Sequence, residues 1–148
     1  MKDSKLFEAI QTLDRKAFTR FAKFIRSPYH NEHKDILKFI DLIERLYPSI
    51  SDDSLPRDEI GKWVFGKNFK DLKVRHLMSD MLKLFEKFVA FEIFNEDEVY
   101  LEINKLAYFR DTGLSKHYVA RDRQVRAKMF KDGVFGNEES YYKKFLLE

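Results

Sequence analysis

The sequence predicts an all-α fold: a bundle or array of about seven or eight helices around one long central helix at residues 71–94, continuing into an α-hairpin of the kind that stacks into solenoids. Three observations predict it. Apolar residues recur at intervals of three and four in every segment and nowhere alternate at two. The 148 residues include only five glycines and three prolines, too few for the tight turns of a sheet protein. The breaks between periodic segments carry helix caps and stops, among them Asp14, Pro28, Asn31, Pro48, Pro56, Gly66 and Gly113.

A first short helix at residues 5–13 places Leu6, Phe7, Ile10 and Leu13 on one side. Asp14 can cap a second at residues 15–27, where Ala17, Phe18, Phe21, Phe24 and Ile25 fall within about 120° of arc. Pro28 stops that helix, because the residue before a proline avoids helical geometry. Asn31 is the expected N-cap of a third helix at residues 32–47, with Glu32 and Asp35 near the positive end of its dipole. Pro56 opens a fourth that Gly66 ends.

The fifth helix, residues 71–94, runs roughly 36 Å. Its apolar residues cover about 200° of arc, which predicts burial on several sides. Asn95 and Glu98 have the spacing of a capping box for a sixth helix to residue 111. Gly113 closes it, and Ser115 can cap a seventh, residues 115–131. Asn137 opens a last segment with Tyr141, Tyr142, Phe145 and Leu146 at helical spacing. Its stop at an apolar end predicts that the chain continues in a longer protein. The expected division is an N-terminal bundle, residues 1–94, and a hairpin extension, residues 95–148. No internal period is present, and the tetratricopeptide pattern is not met.

At 44% apolar and 36% charged residues, the composition is neither that of a disordered chain nor that of a membrane protein. No apolar run nears the ~18 residues of a membrane span. Asp3 and Glu8 interrupt what would be a signal's apolar region. The absence of cysteine excludes disulfides and thiolate zinc sites and fits a reducing compartment, so a cytoplasmic protein is expected. Fifteen phenylalanines predict an aromatic core, each fully buried ring contributing about 1.5–3 kcal/mol. Net charge is +3, and successive thirds of the chain carry +3, −3 and +3.

Motifs for catalysis are sparse. His30 and His33, beside Glu32 and Asp35, could start a metal site, but two histidines three apart need further ligands. The favoured reading is the joint between two helices. His76 and Asp80, four apart on the fifth helix, could form an acid–base pair or a surface hydrogen bond, and the second is favoured. The run "GVFGNEE", residues 133–139, lacks the lysine and hydroxyl residue of a phosphate loop. No nucleophile elbow, dinucleotide fingerprint or His-Glu-x-x-His occurs. Neither a cofactor nor a metal is expected, and catalysis ranks last.

The sharpest signal is the second helix. Arg15, Lys16, Arg20, Lys23 and Arg26 fall at about 0°, 100°, 140°, 80° and 20°, opposite the phenylalanines. The face is either a solvated surface or a docking site for an acidic protein or a phosphate backbone. The cations of the seventh helix, from Lys116 to Lys131, scatter around its wheel. A helix-turn-helix at residues 56–81 is weighed and disfavoured, because its link is long and its second helix too apolar to lie in a groove.

The segments "FTRFAKFIRSPYHN" and "KVRHLMSDMLKLFEKFVAFE" resemble a family of uncharacterised all-helical bacterial proteins common in Bacteroidetes. The likeness is carried by Phe21, Phe24, Ser27, Pro28, Tyr29 and Asn31, and by Arg75, Leu77, Met78, Ser79, Asp80 and Leu82. The resemblance implies an aromatic residue where His30 stands, a longer parent chain, and no established activity. The resemblance bears on fold and chain length, not on function; with catalytic motifs sparse, the expected role is a non-catalytic helical scaffold that binds a protein partner. Nucleic-acid binding through the basic face is the alternative.

Overall fold

The computed structural model describes residues 3–131. The expected last segment and the glycine run 133–139 lie outside them. The described residues form seven helices and no strand: α1 (Lys5–Gln11), α2 (Arg15–Arg26), α3 (Lys34–Leu46), α4 (Arg57–Phe65), α5 (Asp71–Glu96), α6 (Glu98–Asp111) and α7 (Ser115–Lys131). The fold is all-α.

Local signals set most of these boundaries. Ser4 accepts a hydrogen bond from the Phe7 amide to cap α1, and Asp14 accepts from Ala17 N at 2.7 Å to cap α2. The end of α6 is a Schellman motif. Leu114 N donates to Phe109 O at 2.8 Å, Gly113 N donates to Arg110 O at 3.2 Å, and Gly113 has φ +73°.

Three expected caps are corrected. Asn31 does not cap α3, which opens two residues later, after His33. Asn31 is buried instead. Its amide donates to Ile25 O at 3.0 Å, and its oxygen accepts from His33 N at 2.9 Å. Ile25 O is among the last carbonyls of α2, which the helix itself leaves unpaired, so one side chain closes α2 and aims the chain into α3. The Asn95–Glu98 box is absent because α5 runs on to Glu96, and Asp97 caps α6 by accepting from Tyr100 N. Ser115 is the first residue of α7, not its cap, since the Schellman turn delivers the chain directly into the helix.

The chain divides into a compact unit up to Ala90 and another from Phe91. The first is built on phenylalanine. Phe21 of α2 lies edge-on to Phe85 at 5.6 Å between ring centroids and tilts against Phe88 at 5.3 Å. Phe24 meets Phe88 at 5.6 Å, and Phe18 stacks on Tyr47 at 4.0 Å. Ile36, Phe39, Ile40 and Ile43 of α3 complete this core with Leu6, Phe7 and Ile10 of α1. In the second unit α6 and α7 bury Leu106, Val125 and Met129 between them.

The burial of α5 is narrower than its composition predicts. Val74, Leu77, Met81, Phe85 and Phe88 are buried, and they span about 80° of the wheel. Leu72, Phe91, Ile93 and Phe94 remain 62%, 46%, 64% and 42% exposed. Apolar composition reports what a helix could bury. The neighbouring elements decide how much of it they cover.

Gly61 sits inside α4 for a steric reason. A Cβ there would lie 2.3 Å from the ring of Phe69, which belongs to the link into α5.

Two stability predictions follow from this packing. Phe85→Ala and Phe88→Ala should each cost about 3–5 kcal/mol in denaturant unfolding, while Ile93→Ala should stay within about 0.5 kcal/mol. Gly61→Ala should destabilise by about 1–3 kcal/mol despite the ~1 kcal/mol helix-propensity gain, and the loss should vanish in a Phe69→Ala background.

Candidate functional site

The buried face of α2 fixes the orientation of its basic face. Phe18, Phe21, Ala22, Phe24 and Ile25 are all core residues, so the opposite side must meet solvent. Arg15, Lys16, Arg20, Lys23 and Arg26 are all exposed there.

They are not equivalent. Arg26 Nη2 donates to Asp41 Oδ1 at 2.7 Å and to Glu44 Oε2 at 2.5 Å, both on α3. The hydrogen bond to Glu44, then that to Asp41, raises its already high pKa. Its charge is spent locally on tying α2 to α3. The Arg15 guanidinium lies 5.5 Å over the Tyr47 ring. Lys16 and Lys23 form no ion pair with a described residue. On the wheel, Lys23, Lys16 and Arg20 fall within about 60° and rise about 10 Å along the axis. These three are the centre of the surface, with Arg15 and Arg26 at its rim.

The histidines split. His30 stacks on Phe24 at 3.9 Å, with Tyr29 edge-on at 5.2 Å, so it serves the aromatic joint. His33 Nδ1 lies 4.0 Å from Asp35 Oδ2. His33 and Asp35 share a shallow groove of about 490 Å³ with Lys70, Lys73, His76 and Asp80 of the link and α5. The fold thus gathers two constellations that are 43 residues apart in sequence (His33 and His76). Asp80 also pairs with Lys83 at 3.3 Å. Among the described residues, no group of three or more histidine and carboxylate side chains could hold a metal ion.

At the start of α5, Asp71 holds Arg75 at 2.7 Å and Arg57 at 3.6 Å, and Lys73 lies 5.6 Å over the Phe65 ring. Two of the cations that a helix-turn-helix would aim at phosphates, Lys73 and Arg75, are engaged within the fold. The α4–α5 link spans residues 66–70, longer than that motif's turn.

Sequence reasoning did not anticipate Tyr29, which is 92% exposed. It stands on a braced turn, where His30 N and Asn31 N both donate to Ser27 O at 3.0 Å. An aromatic held out on a rigid loop is the type of side chain that anchors protein interfaces. The second unit carries a groove of about 450 Å³ along α6 and α7, floored by Val99, Val125 and Met129. Glu98–Lys128, Glu102–Lys105 and Glu102–Arg121 ion pairs border it. The hydrogen bond from Lys128 holds the Glu98 carboxyl below its usual pKa.

No family model, no curated protein and no solved structure matches this chain. No helix among the described residues is long and apolar enough to cross a membrane.

The Arg26 clasp makes a testable gain. Asp41→Asn/Glu44→Gln frees Arg26 and should elute from a sulfonate resin at higher salt than Glu32→Gln/Asp35→Asn, which has the same net charge. Equal elution would show that Arg26 adds nothing to the basic surface.

Proposed function

We propose that this chain is a non-catalytic helical interaction module that binds an acidic protein partner through α2, in the cytoplasm. Lys16, Arg20 and Lys23 make the central contacts, with Arg15 and Arg26 at the rim. The observation that carries the reading is that these cations ride on a helix whose other face is locked into an aromatic core. A charged face with fixed geometry loses little backbone entropy on binding, so its charge can direct orientation and association rate. The resemblance of the Phe21–Asn31 and Arg75–Leu82 stretches to helical bacterial proteins bears on the fold and supplies no activity.

A second reading is nucleic-acid binding through the same face. It is favoured by the lack of any acid between Arg15 and Arg26 on α2. Phosphate binding by Lys16, Arg20 and Lys23 would amount to about three contacts. Affinity for duplex DNA or single-stranded RNA should then fall only about 40-fold between 50 and 200 mM salt.

Anisotropy titration against both nucleic acids separates the readings. Binding with that slope, lost in Lys16→Glu/Arg20→Glu/Lys23→Glu with the helical circular dichroism kept, selects nucleic acid. Without nucleic-acid binding, a partner isolated by affinity capture and then purified should bind wild type and lose at least about tenfold in affinity for the triple variant. A purified partner indifferent to the triple variant would sink the assignment of α2.

A further inference from the structure

Pairing simplifies the charge pattern of α7. The sequence spreads its cations around the wheel, but three of them are engaged. Arg121 lies 3.5 Å from Glu102, Arg126 meets Asp122 at 3.0 Å, and Lys128 pairs with Glu98. Lys116, Arg123 and Lys131 form no ion pair with a described residue. Taking Ser115 as 0°, these three fall at about 100°, 80° and 160°.

Val119, Ala120 and Ala127 fall at about 40°, 140° and 120°, so the six positions share about 120° of arc. All six side chains are exposed, Val119 at 57%. Val125, Tyr118 and Met129, which pack against α6, lie at about 280° to 320°, on the opposite side. The only acid of α7, Asp122, falls at about 340°, outside this arc and paired with Arg126. Ser115, Lys116, Val119, Ala120 and Arg123 line a shallow depression there.

We propose that this outer face of α7 is a docking seam for an acidic amphipathic helix of a partner protein. Three features select a helix over a phosphate backbone. Ala120 and Ala127 are seven residues apart, so a second helix can approach to the short end of the 8–10 Å range of helix packing. Lys116, Arg123 and Lys131 recur at about 10.5 and 12 Å along the axis, the repeat of carboxylates placed seven or eight residues apart on a facing helix. Val119, Ala120 and Ala127 between the cations offer apolar contact that a phosphate backbone would not use. The seam also makes α7 a helix that can be packed on both sides, as in stacked hairpins. It does not depend on the α2 reading.

The test uses the whole chain and a fluorescent four-heptad helical peptide with an alanine–leucine seam and glutamates seven residues apart. Anisotropy at about 50 mM salt should show saturable binding, lost when the glutamates become glutamine. Lys116→Glu/Arg123→Glu should weaken binding at least about tenfold. Lys116→Gln/Arg123→Gln serves if that reversal unfolds the protein. Ala120→Lys/Ala127→Lys should also weaken binding, although it adds two cations, because the lysines hold the helices apart. The α2 triple reversal should leave peptide binding unchanged, which keeps failure here separate from failure of the proposed function. Tighter binding by Ala120→Lys/Ala127→Lys would overturn the seam in favour of unspecific charge. Absence of saturable binding would overturn it as well, as would duplex DNA binding that the Lys116/Arg123 reversal abolishes while the peptide stays unbound.

Discussion

The first unit depends on the aromatic seam between α2 and α5. Phe21 sits against both Phe85 and Phe88, and Phe24 returns to Phe88, with centroids 5.3 to 5.6 Å apart. Edge-on and tilted pairs of this kind add about 0.5–1.5 kcal/mol each beyond area burial. They also fix rotation. If α2 turned about its axis, Phe21 and Phe24 would leave their partners together, and the basic face would turn with them. The orientation of Lys16, Arg20 and Lys23 toward solvent is therefore a consequence of where two phenylalanines point.

The second constraint is the joint after α2. Seven residues of sequence, Ser27 to His33, separate a helix that must stop from one that must start nearby. Pro28 forbids continuation, and Asn31 then performs two tasks at once, satisfying the Ile25 carbonyl and positioning the His33 amide. Burying an amide is favourable only when its polar atoms are bonded, and here both ends are. The cost of turning the chain is met by a side chain that stays inside. His30 and Tyr29 are displaced outward, one onto Phe24 and the other into solvent. A pair of histidines that suggests metal chemistry in one dimension is, in three, one stacked ring and one groove-lining ring.

What the sequence made legible was whatever depends on local spacing. The existence of α1 to α7, the buried stripe of α2 and the Gly113 stop all follow from residues within one or two turns of each other. The misplaced caps show where local rules run out. Asn31, Asn95 and Ser115 are all competent N-caps, but Asn31 found a better partner in the preceding helix, and α5 overran Asn95 to make Asp97 the cap. The apolar breadth of α5 misled for a related reason, because burial needs a neighbour and a wheel holds no neighbours. Gly61 was unreadable for the same cause, since only the fold brings Phe69 to it. The basic face of α2 was legible as an arc, but the withdrawal of Arg26 by Asp41 and Glu44 required knowing which face of α3 lies opposite.

Charge on a helical protein is therefore better read by subtraction than by counting. A formal tally gives α2 five cations and α7 six, and it ranks α7 as merely scattered. Ion pairs between neighbouring helices are individually worth little when exposed, often under about 1 kcal/mol, so they do little to hold the fold. Their larger effect is on what is left over. A cation held by a carboxylate presents almost no net field to an approaching molecule, while an unpaired one a turn away presents all of its own. Pairing removes Arg26 from the edge of one face, and it removes Arg121 and Lys128 from one side of α7 and Arg126 from another. What survives on α7 is a narrow, single-signed surface on the side away from its buried stripe. The same packing that selects which apolar residues are core selects which charges remain to act at a distance.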